Sequence, residues 1–253
     1  MNRGLYRTEA IVLRARDYGE ADLLLTLFSR GLGRLQAIAK GVRKPQSKLR
    51  AGVQPLMYAH FQLYAGRSTL YTVTQSESLE AFRLLREDLE RLTHAVYLCE
   101  LLDKMLPEQE AHADVFDLTL TIMYLMEQAD PTILTHFFEL RLASLLGYQP
   151  RLECCVSCEG PLLAPLRFSA ARGGVLCRNC LSYDGEAKSV TPGTVALMNQ
   201  WLKVDPRILE RIKVLEYSRG EISDLLPYYL EYYLEKRLQT LTVINNLKQE
   251  LNT

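Results

Sequence analysis

The sequence predicts an α+β protein: a small five-stranded barrel at the N-terminus, then a helical domain interrupted by a four-cysteine insert. Three observations carry this expectation. Residues 5–76 fall into short runs whose hydrophobicity alternates with period two. From residue 77 the apolar spacing changes to that of helices. Five of the six cysteines lie between positions 154 and 180. The implied boundaries are 1–80 for the barrel, 81–150 and 190–253 for the helical domain, and 151–189 for the insert.

In the barrel region, Ile11, Leu13 and Ala15 alternate with Val12, Arg14 and Arg16. A β-rich run from Asp22 to Ser29 follows the turn-like Asp17-Tyr18-Gly19. Leu35, Ala37 and Ala39 alternate with Arg34, Gln36, Ile38 and Lys40, and Gly31 and Gly33 punctuate this hairpin. Ala59, Phe61 and Leu63 alternate with Tyr58, His60, Gln62 and Tyr64, and Thr69 to Thr74 completes a set of five. Five short strands in so few residues fit a small closed barrel, of which the OB-fold, an oligonucleotide binder, is the common version.

The helical body begins where Leu89, Leu92, Val96, Cys99 and Leu102 recur at helical spacing. A helix over 113–128, apolar on most sides, is expected to be deeply buried. Asp130-Pro131 is a start signal, an N-cap acid before a first-turn proline. That helix is expected to run to Leu146 and stop at Gly147. Thr191-Pro192 repeats the start signal. A last long helix is expected to carry Leu226, Leu230, Leu234, Leu238 and Leu241. The segment 151–189, rich in Cys, Gly and Pro, breaks this pattern.

Nearly half the residues are hydrophobic, which is enough for a sizeable core and too apolar for disorder. The longest uncharged apolar run, Leu118 to Met126, is far short of the roughly 20 residues a membrane span needs. With no apolar run near the N-terminus to serve as a signal peptide, the expectation is a soluble, cytoplasmic protein. Net charge is zero, but residues 1–80 hold 12 Lys or Arg against 6 Asp or Glu, and the rest hold 18 against 24. A basic first third in a neutral chain points to a module for a polyanion. Most of that charge lies in one stretch. Arg30, Arg34, Lys40, Arg43, Lys44, Lys48 and Arg50 occur without one acid among them. Arg34 and Lys40 share a strand face by parity, and the later four occupy a Gly/Pro/Ser-containing loop expected to move. Spread cations that release counterions are what a phosphate backbone requires. Arg34, Lys40, Arg43, Lys44, Lys48 and Arg50 are therefore the candidate nucleic-acid contacts.

Cys155 and Cys158 form one C-x-x-C pair, and Cys177 and Cys180 the other, with eighteen residues between them. This spacing suits one structural zinc ion per chain, because the two-residue gap brings both thiolates of a turn onto a single tetrahedral ion. Four thiolates close the shell and leave no position for chemistry. An iron–sulfur cluster is the competing use of four cysteines. Disulfides and a redox pair fit less well, and Cys154 is a spare neighbour able to replace Cys155. None of the four histidines falls in a metallohydrolase or deaminase motif, and no P-loop or G-x-S-x-G elbow occurs. No catalytic residue is therefore expected.

Taken in order, several runs resemble the RecO family of bacterial recombination mediators. They are Glu9-Ala10-Ile11-Val12-Leu13, Tyr18-Gly19-Glu20-Ala21-Asp22, Gly33, Ala39-Lys40-Gly41-Val42-Arg43, Ser47-Lys48-Leu49 and Glu77. Further on come Phe138-Glu139-Leu140, Leu145-Leu146-Gly147-Tyr148, the cysteine pairs, and Phe168-Ser169 before Gly173-Gly174. The zinc cysteines are not universal in that family, but this chain has all four. The resemblance implies an OB-fold, a helical domain and a zinc-finger-like insert in a non-enzymatic protein of the bacterial nucleoid. It implies binding to single- and double-stranded DNA and annealing of complementary strands. It also implies partnership with RecR, sometimes RecF, and loading of RecA onto DNA covered by single-strand-binding protein. The acidic, apolar-ended tail of that protein would dock on the helical region, with Arg141 beside Phe137 and Phe138 as the candidate anchor. An RNA-binding or ribosome-associated OB/zinc protein is the alternative class, and a zinc hydrolase a third.

Overall fold

A computed structural model describes residues 4–251 of the chain. It divides into two compact units, residues 1–127 with 242–253, and residues 128–241. Among the described residues, no helix is long and apolar enough to cross a membrane.

The first unit is built on five strands: β1 (Gly4–Tyr18), β2 (Asp22–Ser29), β3 (Gly33–Ala39), β4 (Tyr58–Ala65) and β5 (Tyr71–Glu80). They close into a barrel in the order β1-β2-β3-β5-β4, the arrangement of an OB-fold. Closure depends on one parallel pairing, Ala37 with Tyr71 and Ile38 with Thr72. The other pairings are antiparallel. Alternation holds cleanly in β3 and β4, where Leu35, Ala37, Ala59, Phe61 and Leu63 fill the barrel.

In β1 the alternation of the sequence marks the wrong set for the barrel interior. Ala10 and Val12 belong to the barrel core, whereas Ile11 and Leu13 are buried outside that cluster. The register with β2 then shifts between Val12 and Arg14. An extra residue at such a bulge reverses the parity of the strand, so Ala15 returns to the barrel core. The outer apolar face of β1 and β2 is covered by helices. α1 (Arg83–Glu87), α2 (Leu89–Met105) and α3 (Ala113–Met126) follow the barrel. α2 packs on β1 and β2, and Phe116 of α3 meets Phe28 edge to face at 5.3 Å. The buried face of α2 includes Ala95, Leu98, Leu101 and Leu102, while Leu89 and Val96 are exposed. Of the apolar set expected from spacing, Cys99 and Leu102 are buried as expected, and Leu89 and Val96 are not.

The second unit holds α4 (Pro131–Leu145), a three-stranded sheet ordered β7-β6-β8, α5 (Pro192–Trp201) and α6 (Glu216–Leu234). The sheet strands are β6 (Leu166–Ser169), β7 (Gly174–Leu176) and β8 (Lys188–Val190). Asp130 caps α4 by accepting from the backbone N–H groups of Thr132 and Ile133, and it pairs with Arg219 of α6 at 2.8 Å. Burial pushes its carboxyl up, but those N–H groups and Arg219 outweigh this and hold it below the usual carboxylate range. A second pin joins the same helices: buried His136 is 2.7 Å from the fully buried Glu139 and 2.9 Å from Ser223 Oγ. The expected last long helix is two. Glu235 takes a left-handed conformation at φ 50°, the Leu238 N–H donates to Glu231, and α7 (Gln239–Leu251) begins afresh.

Candidate nucleic-acid interface and metal centre

The segment 40–57 joins β3 to β4 and carries five of the seven cations between Arg30 and Arg50. It is a run of hydrogen-bonded turns, anchored at both ends. The N–H of Lys44 donates to Gly41 O at 3.1 Å, that of Ser47 to Lys44 O at 3.1 Å, and that of Gly52 to Leu49 O at 3.2 Å. Both ends are anchored: Gly41 N–H donates to Asp22 at 2.7 Å, and Leu56 N–H to Val12 O at 2.8 Å. Val42 and Val53 are pegged into the barrel core. At Gly52 the chain runs so close to β5 that a Cβ would stand 2.7 Å from Ser76 Oγ and 2.9 Å from its Cβ, which excludes a larger residue without displacement.

This scaffold holds Lys40, Lys44, Lys48 and Arg50 in solvent. Their side chains have no ion pair or hydrogen bond among the described residues. Arg43 is also exposed but sits 3.0 Å from Asp17. Arg34 has a different position. Its side chain is only 15% exposed; it donates to Leu106 O at 2.9 Å and pairs with Asp103 and Glu108 at 3.3 and 3.4 Å. It ties β3 to the end of α2, so its charge is already compensated. Parity correctly put it outside the barrel, but acids some seventy residues away in sequence carried no local signal.

Two cations not chosen from sequence join the exposed set. Arg14 and Arg16 are exposed on β1, opposite Thr26 and Leu24 of β2, which in turn face Gln36 and Ile38 of β3. That is the parity Lys40 continues, so the cross-strand register puts them on the same outer face. Their alternation was legible; their closeness to Lys40 depends on pairings that sequence spacing does not reveal. Uncompensated cations on a rigid surface keep their counterions until a polyanion displaces them.

The metal centre lies in the second unit. The sulfurs of Cys155, Cys158, Cys177 and Cys180 all lie within 4.8 Å of one another. The Cys158–Cys177 separation is 3.7 Å, against about 3.8 Å for the edge of a tetrahedron with metal–sulfur bonds of about 2.3 Å. Each C-x-x-C pair is shaped by a tight turn: Glu159 N–H donates to Cys155 O at 2.9 Å, and Cys180 N–H to Cys177 O at 2.8 Å. Leu176, Ala187, Val156 and Leu162 cover the cluster. Cys154 is not among the grouped sulfurs. The donor set fits a metal ion that prefers thiolates. Burial pushes the Cys155 thiol up, but the N–H groups of Cys158, Cys177 and Ser157 outweigh it and bring it to about 6. Burial and the neighbouring thiols push Cys180 up to about 12. One thiolate is prepared while Cys180 keeps its proton, so metal binding must expel that proton.

Comparison with known proteins covers both units. Residues 1–82 match the family model described as Recombination protein O N terminal, and residues 86–242 match Recombination protein O C terminal. The chain belongs to the RecO family. A DNA repair protein RecO of Pelotomaculum thermopropionicum is 40% identical over 245 residues, covering 97% of this chain and 95% of the relative. That of Moorella thermoacetica is 39% identical over 246 residues, 96% and 92% of the two chains. That of Heliobacterium modesticaldum is 39% identical over 255 residues, 98% and 92%.

For this RecO chain, Arg141 is placed otherwise than as an exposed anchor. Its Nη1 donates to Leu202 O at 2.8 Å, its guanidinium lies 5.8 Å from the Phe137 ring centre, and Phe137 and Phe138 are fully buried. It closes the last turn of α5, and the two aromatic rings beside it are core.

Proposed function

We propose that this RecO chain is a non-enzymatic recombination mediator. It binds single- and double-stranded DNA, anneals complementary strands, and helps load a RecA recombinase onto DNA covered by single-strand-binding protein. The observation that carries the DNA-binding part is the set of uncompensated cations on the fixed 40–57 segment. Lys40, Lys44, Lys48 and Arg50, with Arg43 beside Asp17 and with Arg14 and Arg16 on the adjoining face, form the path for a phosphate backbone. Contacts of this kind position the strand without reading its bases, which suits a protein that must act on any sequence. Arg34 is left out of the path because its charge is compensated.

The four cysteines hold one zinc ion with a structural role, since a closed thiolate shell offers no open position. RecR, RecF, and the tail of single-strand-binding protein enter through family membership, with Arg141, whose Nη1 is held by Leu202 O, as the candidate anchor of the tail. The nucleoid is the corresponding location. The test is annealing of complementary strands coated with single-strand-binding protein. Wild type accelerates it, and a chain with Lys40, Lys44, Lys48 and Arg50 all replaced by Ala does not. A chain that binds structured RNA in preference to DNA would favour the RNA-binding class instead.

A further inference from the structure

We propose that the second unit carries a base-stacking ledge for single-stranded DNA, built from Tyr148, Tyr183, Tyr232 and Tyr233 with Arg172 between them. The inference deepens the DNA-binding reading and rests on it. The four tyrosines lie between 37% and 58% exposed; Tyr148, Tyr232 and Tyr233 are in contact, and Tyr183 is linked to them through Arg172 and the adjoining Gly173.

The surface can be traced residue by residue. Arg172 places its guanidinium 5.3 Å from the centre of the Tyr183 ring. The next residue, Gly173, has φ +72°, and a Cβ there would stand 3.1 Å from the Tyr233 hydroxyl. Tyr233 meets Tyr232 at 5.7 Å and Tyr148 at 5.0 Å. Each ring is held. Gly147, at φ +85°, ends α4 and turns the chain so that Tyr148 N–H donates to Ala143 O at 2.7 Å. The buried Tyr229 then donates its hydroxyl to Tyr148 O at 2.8 Å and packs edge to face on Tyr233 at 4.9 Å. Among the described ring pairs, Tyr148 and Tyr232 each meet Tyr233 alone, and they are 43% and 48% exposed.

Fixed, exposed aromatic faces flanked by cations are what unpaired bases need: stacking is tolerant of sequence, and the cations meet the backbone. Arg172 and Arg178 are exposed with no ion pair among the described residues, and Lys188 lies 4.6 Å from the Tyr228 ring centre. A protein hot spot would instead sit in a desolvated pocket behind an excluding rim. A duplex keeps its bases stacked, so the ledge selects single strands, whereas the cation path of the barrel accepts either form.

The test uses the full zinc-loaded chain with an oligo(dT) strand and an abasic strand of equal length. Wild type is expected to bind oligo(dT) about tenfold more tightly. The pair Tyr148→Ala and Tyr232→Ala should remove most of that preference and leave abasic binding and its salt slope unchanged. The pair Tyr148→Phe and Tyr232→Phe should keep the preference. In wild type, 4-thiothymidine in the strand should photo-crosslink to Tyr148 or Tyr232, a readout that needs no folded variant. Equal binding of both strands by wild type, an undiminished preference in the Ala pair, or crosslinks only elsewhere would overturn the ledge. Equal binding would leave the DNA-binding reading in place and give the rings to a protein partner. Failure of wild type to bind either strand would remove that reading itself.

Discussion

The 40–57 segment and the four-cysteine insert are both irregular stretches rich in turn residues, yet they are held in opposite ways. The insert gathers its polar groups inward: four sulfurs converge within 4.8 Å. The basic segment sends its polar groups outward and is ordered by Val42 and Val53 in the barrel core. On the proposed reading, the insert takes its order from a bound ion, whereas the basic segment takes its order from the barrel core before DNA arrives. Rigidity in advance lowers the ordering cost of binding, which matters most for a surface whose attraction to DNA is screened by salt.

The largest expected effect breaks the first half of this comparison. Thiolate sites of this type couple about 10–16 kcal/mol of apparent metal affinity to folding. Cys177→Ser, or a strong chelator, should therefore melt the 151–189 insert, read as loss of bound zinc and of amide-exchange protection there. DNA binding by the barrel should persist at the same salt slope. Loss of both together would mean that the two stretches are not independently ordered.

A smaller effect tests the second half. Val53→Ala removes a buried peg and should cost about 1–3 kcal/mol in the first unit. It should also weaken DNA binding, because the cations above it lose their fixed positions. Thermal unfolding and a binding titration on the same variant would check both. Unchanged affinity in a destabilised variant would mean that the segment need not be preordered.

The smallest effect concerns the helices beside the insert. Asp130 has a folded-state pKa below its unfolded value of about 3.9, so its stabilisation is complete above that value and is lost as pH falls through the folded one. Asp130→Asn keeps the cap and removes the charge facing Arg219. The variant should be slightly less stable than wild type at neutral pH, and the difference should vanish at a pH below the lowered folded-state value. A difference of the same size at both pH values would remove the ion pair from the account.

The same contrast explains what could be read from the sequence. The metal ligands were legible because their geometry is set within two short turns, and so were the capped starts at Asp130-Pro131 and Thr191-Pro192. Features decided at long range were not. The bulge after Val12 reverses the parity of β1 without any local mark. The burial of Arg34 depends on Asp103 and Glu108. The join of β3 to β5 that closes the barrel links residues 37 and 71. The break at Glu235 lacks the glycine or proline that usually signals one, so the leucine spacing from α6 into α7 read as continuous. Arg141 looked like a free cation because Leu202 O, its acceptor, is sixty-one residues away.

The central claim is that uncompensated cations on a preordered segment hold the DNA backbone, and the salt dependence of binding tests it most directly. With Lys40, Lys44, Lys48 and Arg50 replaced by Ala, affinity should fall alike on unrelated sequences. The slope of log affinity against log salt should flatten by roughly 0.7–0.9 per lost contact, about 3 in all. A quadruple variant that folds normally and keeps the wild-type slope would contradict the account and place the backbone path elsewhere on the molecule.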